Sequence, residues 1–213
     1  MTRALSVIMG LVLIAWAQKP FEGTITYTTK VEGAMAAQMG EMIKSQLPEK
    51  MTVAYLGNKV RTESGDAVVL TDGDAGIIYF LNPATRTYRK SVMHPPTDEA
   101  PQPKVVKTKD KTKILGHPVE RYKVELNTEQ GPIKMDIWAA PTLRASELAQ
   151  RTNNLTRGAK VEGIPLRVSM DVPGMDLKIV FSATHIQNSP PEEELFRVPA
   201  DYIEEPGGIP GQD

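Results

Sequence analysis

The sequence predicts a mainly β (α+β) fold: a strongly curved antiparallel sheet or half-open barrel of about ten to eleven strands, with helices across its mouth. Three observations carry this expectation. Apolar and polar residues alternate with period two through most of the chain. Gly, Pro, Asn and Asp interrupt the alternation where hairpins would turn. Two stretches, one early and one late, break the pattern and follow helical spacing instead.

FEGTITYTTKV (21–31) sets Ile25 and Tyr27 on one face and threonines on the other, as a half-buried strand does. GAMAAQMGEMIKSQL (33–47) follows, with Met35, Met39 and Met42 at i, i+4 and i+7, joined by Ile43 and Leu47 on one helical face. KMTVAYLGNKVRTES (50–64) is a hairpin turning at Gly57-Asn58. AVVLTDGDAGIIYFLNPATRTYRKSV (67–92) supplies further strands, with turns at Asp72-Gly73-Asp74 and Asn82-Pro83. HPPTDEAPQP (94–103) reads as an exposed loop, and the strand patterns resume beyond it as the second half of one sheet.

In that second half, VVKTKDKTKILG (105–116) ends on a glycine turn. HPVERYKVEL (117–126) aligns Tyr122, Val124 and Leu126, and GPIKMDIWAAP (131–141) aligns Ile133, Met135 and Ile137. LRASELAQRTNNL (143–155) is a short helix with Ser146 as its N-cap and Leu148 inside. Two long strands then pair through Pro173-Gly174-Met175, one presenting Ile164, Leu166, Val168, Met170 and Val172, the other Leu177, Ile179 and Phe181. PPEEELFRVPADY (190–202) is a helical turn leading into a short extended end.

The N-terminus has the pattern of an export signal. Arg3 precedes the apolar run ALSVIMGLVLIAWA, which ends in an A-x-A site before Gln18. The run is shorter than the roughly 20 apolar residues a bilayer span needs. The expected organisation is a cleaved signal peptide (1–17), a single half-barrel domain (18–203) and a disordered Gly/Pro-rich tail (204–213), in a periplasmic or secreted bacterial protein without a transmembrane segment after cleavage. With no cysteine there is neither a disulfide nor the acylation site of a lipoprotein, so the fold rests on its core. A formal net charge of −1 offers no basic excess for a nucleic-acid backbone.

FEGTITYTTKV, KTKILGHPVERYKV (111–124) and ELFRVPADY (194–202) resemble a bacterial exported domain-of-unknown-function family of the DUF4412 type. That resemblance implies the fold of outer-membrane lipoprotein carriers (LolA/LolB-like), a half-open antiparallel barrel whose helices lie over an apolar cavity. It supports the fold more than lipoprotein transport, and no functional residue of the carriers is matched position by position.

The chemistry-bearing residues argue for a non-enzymatic protein without a cofactor. His94 and His117 precede prolines, His185 lies on a strand, and none has metal-ligand spacing. No nucleophile elbow, phosphate loop or dinucleotide fingerprint occurs. DGDAG (72–76) has two aspartates but lacks the further ligands of a calcium loop, and a hairpin turn explains it equally. Asn154-Leu155-Thr156 matches a glycosylation sequon that matters only in a glycosylating host. The methionine trio admits three readings. Thioethers bind Cu(I), but no histidine or cysteine stands nearby. Plain core packing explains the spacing. A lid over a hydrophobic ligand explains both the spacing and the choice of adaptable methionine. The lid reading expects a lipid or acyl ligand in a cavity lined by Met35, Met39, Met42, Ile43, Tyr27, Ile137 and Phe181. Its alternative is an envelope scaffold or interaction domain with a filled core and an envelope protein partner.

Overall fold

The computed structural model describes residues 19–36, 47–93, 102–128, 131–151 and 155–205. The expected signal peptide, the greater part of the methionine helix and the residues beyond Glu205 lie outside these. Twelve strands follow in chain order: β1 (Gly23–Glu32), β2 (Lys50–Leu56), β3 (Lys59–Ser64), β4 (Ala67–Asp72), β5 (Ile77–Asn82), β6 (Thr87–Val92), β7 (Lys104–Ile114), β8 (His117–Thr128), β9 (Gly131–Ala140), β10 (Ile164–Asp171), β11 (Lys178–Gln187) and β12 (Ile203–Glu204). All lie in one sheet, ordered β12-β6-β5-β4-β3-β2-β1-β11-β10-β9-β8-β7. Each neighbouring pair is antiparallel except the two-residue β12, which runs parallel to β6.

This corrects the expected fold class. The sheet is open, with β12 and β7 at its two ends, rather than a half-barrel of ten or eleven strands, and no helix crosses a barrel mouth among the described residues. The late helix reduces to α1 (Glu147–Arg151), a five-residue turn. Its start is as expected, because the Ser146 hydroxyl accepts the Ala149 N–H at 3.3 Å. The early helix, from residue 37 to 46, lies outside the described residues. Why the sheet stays open is visible on β7, where five of eleven residues are lysines and the register shifts between Lys107 and Lys111. Lysines and a bulge on an edge strand oppose pairing with another strand.

Each half of the sheet is covered by a different piece of chain, on opposite faces. On β1–β3 Ile25, Tyr27, Met51, Val53, Tyr55 and Val60 are buried on one shared face, since Ile25 pairs Val53, Tyr27 pairs Met51 and Tyr55 pairs Val60, while Ala54 is buried on the other. The β9–β10 connection packs on this Tyr27 face. Leu143, Ala145 and Ala149 join Ile25, Tyr27, Val53 and Tyr55 in one cluster, while Ala159 and Val161 cover Tyr122, Met135, Ile137 and Val168. The connection returns to the sheet at Gly163, whose φ is +87° and where a Cβ would run into the Ala140 carbonyl; Ile164 then donates to the Leu143 carbonyl at 2.8 Å.

On β4–β6 the opposite face is buried. Val68, Leu70 and Leu81 pack with Tyr79 and Tyr88 under Val198 and Tyr202 of the C-terminal segment. A 3-10 helix, Glu193–Phe196, buries Phe196 there, and Arg61 donates to the Leu195 carbonyl at 2.9 Å. Beyond it the chain is tied to β6 by Lys90–Glu204 at 3.0 Å and Arg89–Glu205 at 2.8 Å. Glu204 and Glu205, which the sequence assigns to the tail, thus belong to this strap.

Candidate ligand-binding face

Across the Tyr27 face the register lines residues up in rows. One row runs Tyr27–Ala183, both buried. The next runs Thr29–Phe181–Val168–Ile137–Tyr122 across five strands, and the next Val31–Ile179–Met170–Met135–Val124–Val105 across six. Period two on each strand and unbroken register over these positions make both rows almost wholly apolar.

Burial changes along the face. Ile25, Tyr27 and Leu166 are each 0% exposed, sealed under the β9–β10 connection. Val168, Ile137 and Met135 are also buried, under Ala159 and Val161. Thr29, Val31, Ile179, Met170 and Phe181 are only half-buried. The face is therefore filled at one end and on the β8–β10 side, and half-open where β1 and β11 run toward Glu32 and Lys178.

Met35 lies beside this half-open end. Its N–H donates to the Asp176 carbonyl at 3.2 Å, joining the turn after β1 to the β10–β11 hairpin, and it is half-buried. Gly33, with φ +114°, permits that contact, since a Cβ there would meet the Asp176 backbone. Of the residues expected to line a cavity, Met35 and Phe181 are thus at the half-open end. Tyr27 and Ile137 are closed into the filled part of the same face. Met39, Met42 and Ile43 lie outside the described residues. Val31, Met170 and Ile179 complete the half-open row. Strand alternation already grouped Met170 and Ile179 with the apolar faces of β10 and β11, but the register to Val31 depends on the pairing of β1 with β11, which is distant in sequence.

Four buried polar atoms mark the same face. Tyr27 donates its hydroxyl to the Pro165 carbonyl at 2.8 Å, whereas the Tyr55 and Tyr122 hydroxyls and Thr29 Oγ1 have no hydrogen-bond partner among the described residues. Burial pushes the Tyr27 hydroxyl pKa well above its ordinary 10.0, with a smaller contribution from Tyr55; burial alone raises that of Tyr55.

The other sequence candidates resolve as structure. Asp72 accepts the N–H groups of Asp74 and Ala75 at 3.0 and 2.9 Å, and Asp74 accepts from Asn58 at 2.8 Å, so DGDAG is a side-chain-stapled turn. His185 is exposed on β11, and His117 opens β8. Among the described residues no His/Asp/Glu group is arranged to hold a metal ion, and no helix is long and apolar enough to cross a membrane.

The chain is similar to the solved structure of PNGF-II, with 14% identity and a TM-score of 0.49 over 87% of this chain. It spans about a third of that protein's length, 32%. It is also similar to an uncharacterized conserved protein from Thermus thermophilus, with 11% identity, a TM-score of 0.45 and coverage of 85% and 89% of the two chains. A DUF1329 family protein from Desulfovibrio piger has 8% identity, a TM-score of 0.34 and coverage of 84% and 91%. No protein-family model matches the chain, so the resemblance to the DUF4412 type gains no family assignment. No curated protein matches it either.

Proposed function

We propose that this is an exported, non-enzymatic envelope protein that binds a lipid or another hydrophobic molecule against the half-open end of its Tyr27 face. The observation that carries the reading is the exposure gradient. Two adjacent rows of apolar side chains continue from a sealed core, one into Phe181 and the other into Met170, Ile179 and Val31, which no described segment seals. Apolar side chains left in water along a continuous row cost free energy that an apolar ligand would recover. The N-terminal apolar run before Ala15-Trp16-Ala17 supports export.

Titration with the apolar fluorophore N-phenyl-1-naphthylamine, followed by displacement with a long-chain fatty acid, tests the reading. Saturable, displaceable fluorescence that Phe181→Ser or Ile179→Gln weakens at least fivefold, in variants that still unfold cooperatively, is expected. Absent fluorescence, or fluorescence indifferent to both substitutions, refutes it.

A second reading has its own support. The 0% exposure of Tyr27, Ile137 and Leu166 shows the chain's own connection filling most of the face. An interaction domain with a filled core is therefore favoured if the titration fails while the protein is stably folded.

A further inference from the structure

The opposite face of β7–β10 holds a groove of about 350 Å³. It is lined by two adjacent rows of charge: Val106–Lys123–Asp136–Ser169 in one, and Lys104–Glu125–Lys134 with Asp171 in the other. By sign alone this resembles a solvated outer face with cross-strand pairs. The distances say otherwise. Asp136 is committed to Arg121, at 3.0 Å to Nε and 2.9 Å to Nη2, and Asp171 faces Lys178 at 3.5 Å; neither cation lines the groove. Lys104, Lys123 and Lys134 make no ion pair among the described residues, although Glu125 stands directly opposite two of them and Asp136 opposite the third. Three ammonium groups without an ion pair among the described residues then face Glu125, which has none either, and Asp136 and Asp171, whose charges Arg121 (shared with Asp110) and Lys178 offset in part; Val106, 49% exposed, and Ser169 supply an apolar contact and a hydroxyl. On the adjoining edge strand β7, Lys107 and Lys111 are engaged by Glu120 and Glu162, while Lys109 and Lys113 make no ion pair among the described residues.

We propose that this groove is a second binding site, for a phosphate-type oxyanion held by Lys104, Lys123 and Lys134. Lysine suits such a ligand as a mobile point charge with three donors. A phosphate diester in a lipid headgroup and a free phosphomonoester present the same chemistry, and the groove's volume admits either.

The test uses the mature full-length chain with three probes: vesicles of phosphatidylglycerol and phosphatidylcholine in equal parts, vesicles of phosphatidylcholine alone, and glycerol 3-phosphate. The variant is Lys123→Gln/Lys134→Gln, with Lys30→Gln/Lys50→Gln as a charge-matched control, all four residues being exposed. Binding to the anionic vesicles only, suppressed by salt and reduced about 25-fold in the double variant at roughly fivefold per lysine, assigns the site to lipid headgroups. Binding of glycerol 3-phosphate that the double variant abolishes, without vesicle binding, assigns it to a free phosphate. No binding of any probe overturns the proposal. So does binding that survives in Lys123→Gln/Lys134→Gln but is lost in Lys109→Gln/Lys113→Gln, which would place the contact on the edge strand instead. Uptake of the apolar fluorophore should be unchanged in the double variant, which separates this site from the Tyr27 face.

Discussion

Two buried tyrosines on adjacent strands offer a matched pair of substitutions with opposite expected signs. Tyr27 on β1 is 0% exposed and donates to the Pro165 carbonyl at 2.8 Å, tying β1 to a strand 138 residues away. Tyr27→Phe removes the donor and leaves a buried carbonyl short of a partner, which costs about 1–3 kcal/mol. Tyr55 on β2 is 2% exposed, lies edge-on to Phe21 at 5.8 Å, and has a hydroxyl without a partner among the described residues. Its desolvation has been incurred with no hydrogen bond in return. Tyr55→Phe keeps the ring contact and removes the orphan, so the protein should gain between 0 and about 2 kcal/mol. The two variants should therefore differ by roughly 1–5 kcal/mol, or at least about 2 °C in Tm for a domain of this size. Urea unfolding at pH 7 with an unchanged m-value reads this directly, since a constant slope assigns the shift in midpoint to stability. Equal losses in the two variants would show that Tyr55 has a partner. An unchanged Tyr27→Phe would show that the bond to Pro165 contributes nothing net.

Three further predictions rest on neighbouring features. Burial raises both tyrosine pKa values, so the unfolded chain ionises them first; their neutral forms stabilise the fold fully below about pH 10, and stability falls above it by roughly 1.4 kcal/mol per pH unit for each. Urea midpoints at pH 9, 10.5 and 11 should show this decline, and a Tyr27→Phe/Tyr55→Phe variant with an equally steep decline would contradict it. Gly163→Ala should cost well over 1 kcal/mol, because φ is +87° and the new methyl meets the Ala140 backbone; a variant with wild-type thermal stability would refute that close approach. Phe196→Ala should cost about 3 kcal/mol and raise hydrogen exchange in β3–β4 more than in β8–β10, because Phe196 is buried on a 3-10 helix that packs on β3 and β4; uniform exchange would argue against separately covered halves.

How legible this was in the sequence differs by feature. Most of the first eleven strands declare themselves by alternation between Gly, Pro, Asn or Asp turns, although AVVLTD and IIYFLN are nearly continuous apolar runs, and the β10–β11 register puts Val168 beside Phe181 and Met170 beside Ile179 as the pattern implies. β12 does not, since two residues carry no period. Which face of β4 is buried is also hidden: AVVLTD offers Val68 and Leu70 to one side and Val69 to the other, and the C-terminal strap, far away in sequence, decides between them. Whether the sheet closes was legible in principle, because the lysines of KVVKTKDKTKI mark an edge. The half-open row was half legible, because Phe181 and Ile179 alternate together, but their junction with Val31 needs the long-range β1–β11 pairing. The groove on the other face lay beyond alternation altogether, since it depends on which carboxylates Arg121 and Lys178 have already engaged.

The half-open row also bounds the affinity it can give. Val31, Ile179, Met170 and Phe181 are already largely buried, so covering them recovers at most roughly a third of the 1.5–3 kcal/mol that full burial of each such side chain is worth. Four side chains then contribute at most about 2–4 kcal/mol before the cost of association, which corresponds at best to dissociation constants of about a millimolar or weaker. Such a face suits a ligand that is collected and released, and the fluorophore titration should be run over that range. A submicromolar fatty-acid affinity would mean that these four residues are a minor part of the site and that contacts beyond the described residues dominate it. In that case Phe181→Ser should change the affinity less than twofold, whereas a row that is the site should lose most of its binding with the one ring.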